Sequence, residues 1–524
     1  MADHDQLRWL ASAGRMTRRD FMSRAAALGV STALAGTLAS KGVFADEAPK
    51  KGGHLILGLD GSASTDNLDP TTYVVTFQYT VGYQWGNSLV ELTHDGGLSP
   101  ELAESWEPDP TATKWVFKLR KGVQFHNGKE MTAEDVLATV NYHRSEKSTS
   151  PAKAFFEPVE DIKASDKHEL TVTLKAPNAD MPYIFADYHL LIQPAGGDPK
   201  AGIGTGGYII ETFEPGVRAI AKRNPNYWKA DRAFVDSIET LGMNDVTART
   251  SALQSGAVHF INRVDPKTVA LLGNAPDLQV VDVPSAGYYC FPMRCDTPPY
   301  DSHDLRLALK YAIDRERMKK KIASGFGVVG NDHCVSSLDR FHAADIPQHG
   351  YDPDKAKFLY KKSGHSGALN LKVADAAFPG AVDAATLFKE DAAKAGIDIA
   401  VERVPDDGYW SDVWLKAPFC GSYWAGRPTA DMMMALSYLS TAPWNESYWK
   451  RPDFDKLLIQ ARGELDNAKR KQMYRDLQAM ISDDSGVIVP LFNNYLFGGA
   501  KNVSGLKPTP VFVGYRMGEQ LHFD

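Results

Sequence analysis

Several short runs of this chain alternate strictly between apolar and polar positions. In Lys114–Leu119 the apolar side chains are Trp115, Phe117 and Leu119, and over 170–174 they are Leu170, Val172 and Leu174. A period of two predicts half-buried strands. Residues 52–59 read as a first strand, and Leu369–Val373 and 397–401 as later ones. Elsewhere the period lengthens. Thr132 and Asp135 have the spacing of a capping box and open a helix through Val136, Leu137 and Val140. Leu305, Ala308, Leu309, Ala312 and Ile313 fall on one helical face, which predicts a helix from about 301–303 to the basic run Lys319-Lys320-Lys321. Two more helical patterns cover 381–395, closed by Gly396, and 454–480. Strand, helix and strand over 369–401 form a βαβ unit, so this half carries a partly parallel sheet and the fold class is α/β.

One stretch fits neither period. Five of the ten tryptophans, Trp410, Trp414, Trp424, Trp444 and Trp449, lie within 409–449. Its centre reads Gly421-Ser422-Tyr423-Trp424-Ala425-Gly426-Arg427-Pro428-Thr429-Ala430-Asp431, and the Gly and Pro punctuation predicts a loop. Aromatic walls with a few placed charges make a small-molecule pocket. A buried core cluster is the other reading, because Trp is mostly buried in any fold.

Composition narrows the function classes. The 524 residues are 43% hydrophobic and 23% charged, with 58 Lys and Arg against 65 Asp and Glu, a net charge of −7. That is an ordinary globular balance, and it offers no basic surface for nucleic acid. The N-terminus is different. Arg18 and Arg19 precede an uncharged run of 16 residues, 25–40, and then Val43-Phe44-Ala45. This order reads as a twin-arginine export signal over 1–45. The run is short of the ~20 apolar residues that span a bilayer. No Cys stands directly after residue 45, so no lipid anchor is expected. Cys290, Cys295, Cys334 and Cys420 allow disulfides in an oxidising compartment or remain free thiols.

Catalytic and cofactor motifs are weak. Gly202 to Gly207 matches G-x-G-x-x-G, but strand-like Tyr208 to Phe213 follows where a dinucleotide site needs a helix. The chain has no G-x-S-x-G, H-E-x-x-H or P-loop motif. His333 beside Cys334 reads as structural rather than metal-binding. No cofactor, metal or catalytic residue is expected.

Five ordered blocks resemble one family. They are Leu102-Ala103-Glu104-Ser105-Trp106-Glu107 running through Trp115 to Gly128 and Thr132 to Val136; Gly204-Thr205-Gly206-Gly207-Tyr208 with Arg223-Asn224-Pro225-Asn226-Tyr227-Trp228; Pro299 to Asp314; Tyr351 to Lys357; and Ala395-Gly396-Ile397-Asp398. Together they resemble the peptide, nickel and opine type solute-binding proteins of ABC importers. The resemblance covers essentially all of the chain after the signal. It implies a two-lobed, Venus-flytrap periplasmic binding protein with an extra subdomain in the first lobe. The expected divisions are lobe I at 46–80, 205–283 and 487–524, the extra subdomain at 81–204, and lobe II at 284–486. A monomer is expected, with a small solute and the inner-membrane permease subunits as partners. A secreted hydrolase is the alternative, and it lacks a visible nucleophile and base.

The resemblance also places the loop at Trp424 at the ligand. In the peptide-binding relatives an Asp three residues after this tryptophan holds the ligand's α-ammonium; here that position is Arg427. A buried ammonium beside an Arg would be repelled. A carboxylate, phosphate or hydroxyl-rich end suits the guanidinium fork. The expected ligand-binding residues are Trp424, Arg427, Tyr423, Asp431, Trp410, Tyr288, Tyr289, Asn331, His333 and Tyr73. Arg427 either faces the ligand or pairs internally with Asp431.

Replacing both Arg18 and Arg19 by Lys should stop export, and exported wild type should begin at Asp46 on N-terminal sequencing. Undiminished export of the double variant contradicts the signal.

Overall fold

The computed structural model describes residues 49–94, 96–464, 466–512 and 516–524. The expected export signal, 1–45, and Asp46 lie outside them. Three sheets organise the chain. The first has seven strands in the order Leu278–Val283, Tyr495–Ala500, Phe260–Ile261, His54–Leu59, Ser237–Gly242, Arg218–Arg223 and Tyr208–Glu214. His54–Leu59 runs parallel to both its neighbours, while the other pairings are antiparallel. It is central because Leu55, Leu57 and Leu59 are all fully buried.

The second sheet is antiparallel, in the order Ala103–Pro108, Lys114–Leu119, Glu169–Leu174 and Val159–Asp166. Its alternation buries Trp115, Phe117 and Leu119, as the period of two predicts. Helix Ala133–Arg144 packs on this sheet, and Asp135 accepts from the backbone N–H and hydroxyl of Thr132 at its start.

The third sheet orders Val328–Val329, Val487–Phe492, Tyr288–Pro292 and Ser422–Trp424, all antiparallel. Beside it Leu369–Val373 and Ile399–Arg403 pair in parallel through helix Ala381–Ala393, the βαβ unit expected. Gly396 follows that helix with φ of 74°, a conformation that favours glycine.

The first-lobe segment expected from residue 487 needs correction. All six residues of Val487–Phe492 are buried, and the strand is central in the third sheet. The chain crosses to the first sheet only after Phe492, through Asn493 and Asn494. Its outward crossing is 284–287, between strands Leu278–Val283 and Tyr288–Pro292. The two crossings are tied together: Ser285 donates to the Asn493 carbonyl at 2.6 Å, and the Asn493 N–H to the Gly287 carbonyl at 3.0 Å. This stitched pair of crossovers is where the chain passes between the first and third sheets, the position a hinge between two lobes would take.

Two long helical patterns are broken in the structure. His303–Tyr311 stops before a new helix, Arg315–Ile322, because Asp314 caps the second by accepting from the Arg317 N–H. Pro452–Gly463 and Asn467–Asp484 likewise divide where Asp466 accepts from Ala468 and Lys469. A side-chain cap offers the backbone an exit from the helix that apolar periodicity does not register. The 409–449 stretch also holds more than loop: helices Tyr409–Asp412 and Ala430–Ser437 flank strand Ser422–Trp424. All four cysteines are free thiols.

Within the 202–207 segment Gly204 and Gly206 pack against the backbone of the Trp85 turn, while Gly202 and Gly207 meet the side chains of Leu68 and Ala233. A Cβ on Gly206 falls 2.4 Å from the Trp85 carbonyl carbon, and one on Gly204 falls 2.4 Å from the Trp85 oxygen. Gly206→Ala should therefore cost about 1–3 kcal/mol, the range for forced overpacking, visible as a lower Tm. An unchanged melt would show that the Trp85 turn yields freely.

Candidate functional site

Strand Ser422–Trp424 sets the site, and its two-residue period sorts the aromatics. Tyr289 lies opposite Tyr423 and Tyr288 opposite Trp424 on the neighbouring strand. Tyr288 and Trp424 point into the core of the second lobe. Tyr423 and Tyr289 face the other way, toward a cavity at the hinge.

The buried face centres on Glu446, which is 4% exposed. It accepts from the indole N–H of Trp414 at 2.6 Å and of Trp424 at 2.7 Å, from Ser422 Oγ at 2.8 Å and from Cys290 Sγ at 3.3 Å. Trp414, Trp424 and Trp444 pack edge to face around it, with centroids 5.7–6.5 Å apart. Burial pushes the Glu446 carboxyl above its usual range, and the four donors pull against that. The aromatic stretch is thus core on one face and cavity wall on the other.

The hinge cavity holds about 40 Å³ and is walled by Tyr289, Tyr423, Trp424, Ala425 and Asn493, with Arg263 from the first lobe. The Arg263 guanidinium lies 4.7 Å from the Tyr423 ring centre, and its Nη1 donates to Asp60 at 2.5 Å. Burial raises the Asp60 pKa, but Arg263 and Arg249 outweigh it and leave the carboxylate below its ordinary value. Trp410 packs edge-on to Tyr423 at 5.4 Å, and Tyr289 stacks on Phe378 at 4.2 Å.

A larger cavity, about 270 Å³, opens between the extra subdomain and the second lobe. Arg427, Arg340, Thr429 and Met433 line one side, and Gly97 and Tyr183 the other. Arg427 is 6% exposed. Its Nη1 donates to the carbonyls of Ala425 and Gly426 at 3.0 and 3.1 Å. The guanidinium stands 5.9 Å from the ring centres of both Tyr188 and Phe512. Its Nε is buried with no hydrogen-bond partner among the described residues. Behind Tyr188, Asp187 is bound to His189 at 2.5 Å. Burial raises the Asp187 carboxyl, but the charges of His189 and, less strongly, Arg427 bring it below its usual range.

Arg427 does not pair with Asp431. Both Asp431 oxygens accept from Arg462 Nε, at 3.1 and 2.9 Å. Three other expected residues sit in buried networks. Tyr73 is fully buried and donates to the Leu68 carbonyl. Asn331 donates to Ile346 and Pro347 carbonyls. His333 accepts from the Val335 N–H, and burial holds its pKa down at about 3. Asn331 and His333 flank Asp332, which binds Arg315 through both oxygens at 2.7 Å and His349 at 2.7 Å. That ion cluster orients the whole turn inward.

Sequence reasoning missed Glu446, Asp60, Arg263 and Arg340. One signal was readable for Glu446: buried indoles need acceptors for their N–H groups, and Glu446 lies between Trp444 and Trp449. The others come from distant segments that only the fold brings to the cleft.

Glu446→Ala should cost on the order of 1–3 kcal/mol for each indole N–H left without an acceptor. The pH dependence has a definite sign. The native Glu446 carboxyl keeps its proton to a higher pH than the unfolded one, so its contribution to stability falls as pH rises from its ordinary value of 4.5 to the raised native one. Glu446→Gln should flatten that limb in melts across pH. A wild-type slope retained in the variant would assign the titration elsewhere.

Comparison with known proteins agrees with this architecture. A profile of the bacterial extracellular solute-binding proteins, family 5 (middle), matches residues 97–467. The chain is 24% identical to heme-binding protein A of Haemophilus influenzae (strain ATCC 51907 / DSM 11121 / KW20 / Rd), over 76% of this chain and 80% of that protein. The periplasmic binding protein AgaA of A. tumefacien R10, solved with agropinic acid, superposes with a TM-score of 0.82 at 22% identity, covering 90% of this chain and 99% of that one. The ABC transporter-associated periplasmic binding protein DppA of Helicobacter pylori, solved with the peptide STSA, gives 0.81 at 20% identity, covering 90% and 98%. The chain belongs to the bacterial extracellular solute-binding proteins of family 5, the solute-capturing components of ABC importers.

Proposed function

We propose that this protein, exported by the twin-arginine pathway, captures a small solute with an anionic end in the periplasm and delivers it to an ABC permease. Arg427 is the anchor. It borders the larger interlobe cavity, is almost fully buried, and has no carboxylate within ion-pair distance among the described residues. Asp187 acts on Arg427 only through space and is itself bound to His189, so a ligand carboxylate or phosphate supplies the direct partner, with a planar, two-point match. Aromatic faces of Tyr188 and Phe512 hold the cation in the meantime.

Size and charge narrow the class. The cavity, about 270 Å³, is small against the ~300–1,000 Å³ usual for ligand pockets. That suits a single modified amino acid, an opine or an acidic sugar derivative. Among the solutes named for its relatives are haem, the peptide STSA and agropinic acid; the acid is nearest in charge to what Arg427 asks for. The protein acts as a monomer, and the hinge at 284–287 and 493–494 is where the lobes turn about the ligand.

Native mass spectrometry of freshly purified protein should reveal the bound solute. In calorimetry with that solute, Arg427→Ala should lose on the order of 2–5 kcal/mol of binding, and Arg427→Lys should recover only part of it. The ligand-free melt should change little. Tight binding of plain dipeptides that requires their free α-ammonium would refute the reading.

A further inference from the structure

Where the extra subdomain meets the second lobe, beside the packing of Pro151–Phe156 on helix Ala430–Ser437, stands a buried carboxylate. Asp180, 4% exposed, stands at the start of helix Met181–Ile184. Arg470 Nη2 donates to its Oδ2 at 2.5 Å and Nη1 to its Oδ1 at 3.3 Å. Arg340 Nη2 donates to Oδ1 at 2.8 Å. Both arginines belong to the second lobe, from segments 130 residues apart in sequence. The carboxylate comes from the other side of the cleft.

The second lobe holds these guanidinia in place by its own contacts. Arg470 donates through Nε to the Ala461 carbonyl at 3.2 Å. Its guanidinium lies 5.1 Å from the Phe341 ring centre and 5.6 Å from that of Tyr474, and those two rings stack at 4.7 Å. Arg340 covers the same Phe341 ring at 4.7 Å. None of these contacts involves the extra subdomain. Two cations thus share one aromatic ring through contacts that do not depend on the carboxylate, and donors held in this way lose little on pairing. On the other side, Asn178 accepts from the Asp180 N–H at 2.9 Å and so fixes the turn that presents the carboxylate.

We propose that Asp180 is a closing latch: it plugs a ready-made guanidinium socket on the second lobe and holds the two lobes together without ligand. Position and burial separate it from another ion pair across the lobes. Lys267 meets Asp383 at 3.0 Å, but their side chains are 52% and 63% exposed; exposed pairs of this kind contribute little. Asp180 and Arg470 are 5% and 3% exposed, so opening must rehydrate and separate a desolvated pair. Arg340 also lines the 270 Å³ cavity. The latch and the cavity share that wall.

The test uses the full exported chain, stripped of solute by partial unfolding and dialysis, so it needs no identified ligand. Small-angle scattering should give a larger radius of gyration for Asp180→Asn and Asp180→Lys than for wild type. Arg340→Ala, at a half-exposed position that tolerates change, should shift the radius in the same direction. Asp383→Asn should leave it unchanged. With a nitroxide pair across the cleft, the closed-to-open ratio should fall about tenfold in Asp180→Lys, a shift of ~1.4 kcal/mol. A melt confirms that each variant folds. Equal radii and closed fractions for wild type and both Asp180 variants would overturn the latch. Because the readout contains no ligand, that outcome leaves the Arg427 anchor standing, and failure of the anchor leaves the latch standing.

Discussion

Glu446 is the constraint on which the site depends. It is a buried carboxylate with no cation at hydrogen-bond distance among the described residues, satisfied by two indole N–H groups, a serine and a thiol. The four donors come from three segments. Trp414 follows helix Tyr409–Asp412, Ser422 and Trp424 bracket one strand, and Cys290 lies in the next strand. Once Trp424 is held inward, the pleat obliges Tyr423 to face the hinge cavity. Beyond Trp424 the chain passes Gly426, where a Cβ would meet Ala286 at 2.7 Å, and delivers Arg427 to the larger cavity. A four-donor acceptor in the core thus determines two residues outside it.

The arginines of the cleft add a second constraint. Arg263 has Asp60, Arg462 has Asp431, and Arg470 and Arg340 share Asp180. Each pair offsets its own desolvation. Arg427 has carbonyls and ring faces instead. Carbonyl oxygens carry partial charge only, and Asp187, itself bound to His189, acts on the cation through space without forming an ion pair. This contrast within one cleft, rather than burial alone, is what supports the proposal that Arg427 anchors the ligand.

Much of the fold was legible because period-two and period-3.6 patterns report burial directly. Trp115, Phe117 and Leu119 are buried on one sheet face, and the helix opened by Thr132 stands where its cap spacing put it. The failures share a cause. Asp314 and Asp466 end helices by side-chain hydrogen bonds that hydropathy cannot see. Val487–Phe492 is apolar throughout, so nothing in it told which sheet it would join. In the site, Tyr288 and Tyr289 are adjacent and identical in kind, yet only strand register decides which one reaches the cavity. Asp431 looked like the natural partner of Arg427 from sequence distance, but helix Ala430–Ser437 turns it toward Arg462.

Occupancy and closure meet at residues 334–341. Cys334, Ser336, Asp339 and Arg340 border the same cavity as Arg427, and Arg340 and Phe341 form the socket for Asp180. A solute that enters beside Arg427 therefore touches a wall whose far side already grips the other lobe. In a hinged receptor the ligand shifts the balance only by its differential affinity for the closed state. With the solute anchored on one lobe and the latch spanning both, the two roles separate. In the proposed reading Arg427 supplies recognition, and Asp180 lowers the cost of closing that recognition would otherwise have to meet in full.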